Sequence, residues 1–524
     1  MLHAAIVCVL VVYGLVIPLY RVTYHPLANY PGPLWYRVSS WPSALRIGSG
    51  DWHLELHRLH QKYGDVVRWA PDALSFRSVQ ALHDIYASRD TNMIKTGWTD
   101  ANVGLNNGKF NIVSCSDRKT HAQRRYLLAQ ALNDTNFRKA EPYILLCVRS
   151  LCAIIKSADR GSELYDEKEQ WTGSLDIGYW SSMMTIDVLG ELCFGKGFGA
   201  LDQGSTHLRP LLMSAAKLTQ QVAWLPIRHI LYPILTSSYF TQMFLSKTAT
   251  SRVAYRNEVK AVVQNRLTSA DTSNAREDFF HHLLKAYDTK TGARLTPDEL
   301  VTEALALIAA GNDTASTCIA AVFFYILHDS RVLAKLVFEI SSTFTDVEDI
   351  CSNRLKELPY LRAVIDESLR LSPPIPGQLT RRILPGGARI EGVQYPAGIV
   401  VGVSAYVLHH DEKYFSDVTS FIPERWIPGY HKDLDMTSTP RSIDVAKSAF
   451  CAFSLGPRGC IGKNMAYMEM SVTIARLLFL YDIRSPWSDT ASYEEHGETK
   501  EYKLQDYFIA DRQGPLVEFK ERRV

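Results

Sequence analysis

The chain has 524 residues, 46% of them hydrophobic, which is ample for a large core. Lys and Arg number 57 against 55 Asp and Glu, a balance that gives no sign of nucleic-acid binding. Nine cysteines are scattered with no C-x-x-C pair and no zinc spacing, so neither a disulfide framework nor a zinc site is indicated, and a reducing compartment fits.

The first element is an apolar run from Leu2 to Tyr20, interrupted only by His3, Gly14 and Pro18. It is just long enough to span a bilayer. A cleaved signal peptide would want a basic leader and a small-residue cleavage site, and neither is evident. The following Arg21, Arg37 and Arg46 place the remainder on the cytosolic side. The reading is a membrane anchor over 1–21, a Pro-rich hinge over 22–35 and one catalytic domain over 36–524. Tyr30-Pro31-Gly32-Pro33 makes the hinge a stiff extended spacer.

Asp65 to Trp69 and Ala73 to Arg77, joined around Ala70-Pro71-Asp72, predict a hairpin. His121 and Arg125 fall on one helical face at i, i+4. Thr296-Pro297-Asp298-Glu299 combines a capping box with proline at the first helical position. The helix it opens is apolar on nearly every face from Leu300 to Leu327 and should run through the core. A further helix covers Tyr360 to Leu371 and stops before Pro373-Pro374. Arg389 to Tyr395 and Ile399 to Val403 predict a second strand pair. His431 to Lys447 reads as a surface loop, and a last long helix runs from Gly462 to about Leu480. The fold class is mainly α with small β-sheets.

Within the core helix, Ala310-Gly311-Asn312-Asp313-Thr314 puts an acid and an alcohol in apolar surroundings, which is costly without partners. Thr314 can bond a carbonyl one turn back, and Gly311 leaves room for a flat ligand. A kinked core helix whose polar groups bond their own backbone is the alternative. Glu367 and Arg370 sit three apart on one helical face. Glu55 and Arg58 have the same spacing and read as a solvated pair.

Phe453-Ser454-Leu455-Gly456-Pro457-Arg458-Gly459-Cys460-Ile461-Gly462 presents one thiol in a Gly-bounded loop ahead of a helix. Such a loop suits a single axial thiolate to a haem iron, with backbone amides free to bond the sulfur. Phe453 can shield the sulfur and Arg458 can reach a carboxylate on the ligand's rim. A buried structural cysteine is the alternative.

This run resembles the signature F-x-x-G-x-R-x-C-x-G of the cytochromes P450, the haem-thiolate monooxygenases, with all five fixed positions present. The core-helix segment resembles that family's A/G-G-x-D/E-T motif. Glu367-Ser368-Leu369-Arg370 and Pro423-Glu424-Arg425-Trp426 resemble E-x-x-R and P-E-R-F/W. The resemblance covers about residues 25 to 510. It implies haem b with Cys460 as the metal ligand, and Thr314 and Asp313 as catalytic residues for oxygen binding and proton delivery. By the same resemblance, His121, Arg125, Arg381, Phe453 and Arg458 would hold the cofactor. Glu367, Arg370 and Arg425 would form a buried structural network. His121 replaces the family's usual tryptophan, and Ala452 replaces its usual proline. His25-Pro26-Leu27, Lys62 to Arg68 and Tyr467 to Met470 look like fungal secondary-metabolism members, such as trichothecene hydroxylases and benzoate 4-hydroxylases.

The implied reaction is oxidation, commonly hydroxylation, of a lipophilic small molecule. Electrons would come from NADPH through a separate flavoprotein reductase, with cytochrome b5 as a further partner, at the endoplasmic reticulum membrane. The rival activities are a haem-thiolate isomerase or dehydratase needing no external electrons, and a non-catalytic haem sensor. Pocket walls are expected at Lys95 to Ile112, Leu211 to Leu235, Ala306 to Thr314 and Pro374 to Thr380. Trp224, Leu225 and Ile227 are alternatively placed at the membrane surface.

Overall fold

The computed structural model describes residues 12–157, 171–206, 208–237, 246–269, 278–429, 440–486 and 501–522. Its axis is the helix Pro297–His328, opened by the capping box expected of Thr296. Glu299 N–H donates to Thr296 Oγ1 at 3.3 Å, and Thr296 N–H donates to Glu299 Oε2 at 2.9 Å. Ile308, Ile319, Val322 and Phe323 on this helix are fully buried. Each such side chain contributes roughly 1.5–3 kcal/mol when removed from water.

The core helix packs along Ile177–Phe194, itself buried on nearly every face. Lys463–Leu480 and Asp134–Ser157 complete the main apolar core. Gly311 lies where the two central helices meet. A Cβ there would come within 2.8 Å of Leu189. Its missing side chain therefore serves helix packing, and Gly311 also borders the central cavity as expected. Pro359–Leu371 forms as predicted and ends before Pro373-Pro374.

The predicted hairpin pairs Val66–Ala70 with Ala73–Phe76 in antiparallel register. It continues into a five-stranded sheet through Val400–Val403, Arg381–Ile383 and Met93–Lys95. The second expected strand pair does not form as read. Ala388–Ile390 and Val393–Tyr395 instead close on each other around Glu391 and Gly392, at φ 52° and 80°. That two-residue turn is complete in itself. Val400–Val403 is left to pair parallel with Ala73–Phe76.

The expected surface loop at 431–447 is part helix, because Pro440–Ala449 buries Ile443 and Ala446. Its first residues, 431–439, lie outside the described residues. So do residues 1–11 of the expected anchor. The apolar helix over Gly14–Thr23 is short. Among the described residues, the one helix long and apolar enough to cross a membrane is Pro297–His328, which is largely buried in the protein.

The residues read as a stiff extended spacer are docked on the domain. Arg68 N–H donates to Pro31 O at 2.7 Å, and Arg68 Nη1 donates to Arg21 O and Leu27 O at 2.8 and 3.0 Å. A Cβ on Gly32 would lie 2.1 Å from Arg68 O, so only glycine allows this approach. Glu55 also departs from its reading. It is 8% exposed and bonds Arg58 at 2.8 Å and the Tyr36 hydroxyl at 3.4 Å, while Arg58 itself faces solvent.

Candidate active site

A cavity of about 510 Å³ lies between the core helix, the cysteine loop and the five-stranded sheet. Cys460 and Thr314 both line it, as do all four expected wall segments. The wall expected at 211–235 is largely two helices, Leu208–Ala223 and Arg228–Thr236. Trp224 is half-buried and meets Trp69 edge-to-face at 4.9 Å, so it belongs to the cavity wall and not to the outer surface. Ile227 does face outward.

The cysteine loop turns through Ser454 and Gly456, at φ 54° and 66°. A Cβ on Gly456 would sit 2.3 Å from Tyr86 O. Cys460 N–H donates to Phe453 O at 2.9 Å, closing the loop. The Cys460 side chain is open to the cavity although protein surrounds it. Burial raises its pKa, while the Gly462 N–H and the charges of Arg125 and Lys463 pull the other way. The Phe453 ring lies 5.0 Å from the Tyr467 ring beside this loop.

Arg125 Nη1 donates to Gly459 O at 2.7 Å, tying the helix Arg118–Ala131 to the cysteine loop. Arg458 donates to Cys115 O and Ser116 O at 2.5 and 2.7 Å. Arg381 donates to Leu379 O at 2.9 Å and lies over the Tyr86 ring. His121 is buried beside them. Its pKa falls to about 3, first through burial and then through Arg458, Lys95, Arg125 and Arg381. It is therefore neutral here and cannot act as a cation. Lys95, expected only as the start of a pocket wall, joins the group, with its pKa well below the usual lysine range because of burial and the neighbouring arginines. Among the described residues no carboxylate pairs with Lys95, Arg125, Arg381 or Arg458. Uncompensated buried cations are expensive, so the site calls for an anionic ligand. An apolar cavity, the Cys460 thiol at the tip of its loop and a cationic rim fit a flat dicarboxylate cofactor such as haem.

Thr314 Oγ1 donates to Ala310 O at 2.7 Å, as the sequence suggested, and borders the cavity. Asp313 is 2% exposed. Burial raises its pKa, opposed by Arg512 and Arg209, each 3.5 Å from Oδ1. Arg512 follows the C-terminal hairpin and Arg209 lies on Leu208–Ala223. No local motif announced either. The same hairpin brings Phe508 into the cavity wall, where it stacks on Trp98 at 4.1 Å and 8°. Phe508 carries φ 75° at the single-residue turn between Tyr507 and Ile509.

Glu367, Arg370 and Arg425 do come together. Arg370 donates to both Glu367 oxygens at 2.9 Å, and Arg425 Nε donates to Oε1 at 2.9 Å. Trp426 Nε1 and Ile422 N–H complete the set, each at 3.0 Å. Burial would raise the Glu367 pKa, but Arg370 and Arg425 outweigh it and hold the group at about 2. Arg370 Nη1 also donates to His409 O at 2.9 Å, and His409 Nε2 accepts from Cys451 N–H at 3.0 Å. The network is thus wired to the segment that leads into the cysteine loop.

Comparison with known proteins shows the family. The cytochrome P450 family model matches residues 31–498. The cytochrome P450 monooxygenase AKT7 of Alternaria alternata is 32% identical, over 96% of this chain and 94% of its own length. The cytochrome P450 monooxygenase fscF of Fusarium equiseti is 30% identical, over 99% and 96%. Trichothecene C-15 hydroxylase of Fusarium sporotrichioides is 31% identical, over 92% of each chain. The chain belongs to the cytochrome P450 family and is a haem-thiolate monooxygenase.

Proposed function

We propose that this monooxygenase oxidises a lipophilic small molecule of fungal secondary metabolism, most simply by C–H hydroxylation. The observation that carries this reading is one largely apolar cavity bordered by the Cys460 thiol, the Thr314 hydroxyl and a cationic rim. Cys460 would supply the thiolate ligand, and Arg125, Arg381 and Arg458 would hold the cofactor's carboxylates. Phe453 shields the sulfur side, and His121 packs as a neutral neighbour of the rim. Bound there, haem supplies reductive activation of dioxygen, favoured by electron donation from the thiolate.

The chain's own part is to exclude water, orient substrate and hold protons. Trp98, Phe508 and Trp224 form apolar walls that exclude water. The Thr314 hydroxyl offers a hydrogen bond at the cavity surface, and Asp313, between Arg209 and Arg512, is placed to relay a proton. Glu367, Arg370 and Arg425 set the shape beneath the cysteine loop.

Electrons reach the site from NADPH through a separate flavoprotein reductase, with cytochrome b5 as an additional donor. The chain is held at the endoplasmic reticulum membrane by residues 1–21. Supporting this, Leu15, Leu19, Trp35 and Leu45 are exposed apolar residues near the N-terminus, and Ile230 is exposed on Arg228–Thr236. The test is expression of the full chain with a compatible reductase, followed by metabolite profiling and measurement of NADPH-dependent oxygen consumption. Oxygenated products that require NADPH support the reading. Product formation without NADPH or oxygen would overturn it.

A further inference from the structure

Gln505–Tyr507 and Ile509–Asp511 pair across the single residue Phe508, and each strand carries one acid. Asp511 is ion-paired, with Arg209 at 3.2 Å and Lys217 at 2.9 Å. Asp506 is 1% exposed, and among the described residues no ion pair engages it. Its place is fixed on two sides. Its backbone N–H donates to Gly50 O at 2.6 Å, and its Oδ1 accepts from Phe508 N–H at 3.1 Å. Oδ1 thereby braces the left-handed turn that carries the Phe508 ring against Trp98. Oδ2 is left buried with no hydrogen-bond partner among the described residues, a costly state for a carboxylate. Asp506, Phe508, Trp98 and Gly377 all line the cavity that Cys460 and Thr314 border. A Cβ on Gly377 would lie 2.5 Å from Oδ2, so glycine at that position keeps the oxygen clear of a covering side chain.

We propose that Asp506 is a specificity-determining residue whose Oδ2 accepts a hydrogen bond from a hydroxyl on the lipophilic substrate, while Phe508 and Trp98 pack on the apolar skeleton. This rests on the monooxygenase reading of the site and narrows its substrate class to molecules that already carry a hydroxyl. Burial, opposed by the Phe508 N–H, raises the Asp506 pKa to about 6, so near neutral pH the group is mostly ionised and acts as an acceptor. A hydroxyl donating to a carboxylate makes a short, strong bond. It also enters an apolar cavity at less desolvation cost than an ammonium. The ketone or ether of the same skeleton offers no donor and leaves Oδ2 unpaired, so the site rejects it.

The rival explanation is that Asp506 only braces the hairpin turn. Asp506→Asn separates the two, because its carbonyl keeps the bond from Phe508 N–H while its amide puts a donor where Oδ2 was. Full-length, haem-loaded parent and variant are titrated with cyclododecanol against cyclododecanone, and with cedrol against cedryl methyl ether. Each pair shares a skeleton and differs by one donor. Binding is read from the shift of the haem absorption band. The parent should favour each alcohol, and that preference should fall roughly 10- to 100-fold in Asp506→Asn, as expected for one lost charge-assisted bond. Gly377→Ala, which covers Oδ2 with a methyl, should lower the same preference while leaving Asp506 in place. Equal thiolate spectra of the reduced-CO complexes show that the variants are folded. An unchanged alcohol preference in Asp506→Asn would leave only the bracing role and overturn the proposal, as would a parent chain that binds neither pair or binds both members of each equally. A parent chain with no thiolate spectrum would overturn the haem-thiolate reading beneath it, a distinct outcome.

Discussion

Replacing Glu367 with alanine strips five hydrogen bonds from a fully buried carboxylate: three from Arg370 and Arg425, one from Trp426 Nε1 and one from Ile422 N–H. Arg370 keeps its bonds to His409 O, Val418 O and Ser420 O, so its charge stays in place with no anion beside it. Breaking one buried pair costs about 3–5 kcal/mol. Here two guanidiniums lose the same partner, so the upper end of that range applies. Net stability of a folded domain is only about 5–15 kcal/mol. Glu367→Ala should therefore yield little folded, haem-loaded protein, and the defect should be folding, not slow chemistry. Glu55→Ala is the internal comparison, at identical i, i+3 spacing. Glu55 is itself largely buried but its partner Arg58 is exposed, so about 1 kcal/mol is expected. The assay is haem incorporation per folded chain together with the urea midpoint. Equal loading and equal midpoints for the two variants would refute the reasoning.

Other outcomes follow from the same geometry. Cys460→Ser should abolish the thiolate spectrum of the reduced-CO complex, and a retained spectrum would move the ligand role to another cysteine. Thr314→Ala should still load haem yet consume NADPH without matching product, measured as the ratio of product formed to NADPH used. Glu367, with its pKa lowered to about 2, contributes stability that is present above about pH 4.5 and is lost as pH falls through 2. A urea series over that range should show the loss in the parent and a smaller slope in Glu367→Gln. Glu469 behaves in the opposite sense: buried on Lys463–Leu480, with Oε1 lacking a hydrogen-bond partner among the described residues, its pKa is raised to about 8. The folded state then holds the extra proton between about pH 4.5 and 8, so stability falls as pH rises through that window. Glu469→Gln should remove this slope and raise the urea midpoint at pH 8. An unchanged midpoint would contradict it.

The local chemistry of this chain was legible from residues close together in sequence. A thiol between Gly456 and Gly462, a capping box at Thr296 and an acid–alcohol pair in an apolar helix need only short-range geometry to be recognised. Glu367 and Arg370 needed one more step, because their spacing is shared by Glu55 and Arg58. Burial separates the two pairs, and burial depends on what packs over a helix face. Strand partners were less legible still: Glu391 and Gly392 close a hairpin locally, while Val400–Val403 finds its neighbour more than three hundred residues earlier in the chain.

What the tertiary structure alone decided is which charges share a space. Lys95 and Arg381 become neighbours only through a strand register, and Arg209 and Arg512 reach Asp313 from two distant segments. Phe508 enters the cavity because a C-terminal hairpin folds back over Trp98. Motif spacing carries the identity of reactive groups because helix and loop geometry repeat within a few residues. Electrostatic partnership and cavity shape do not repeat in that way, since they depend on chain segments whose separation is set by packing and not by sequence distance.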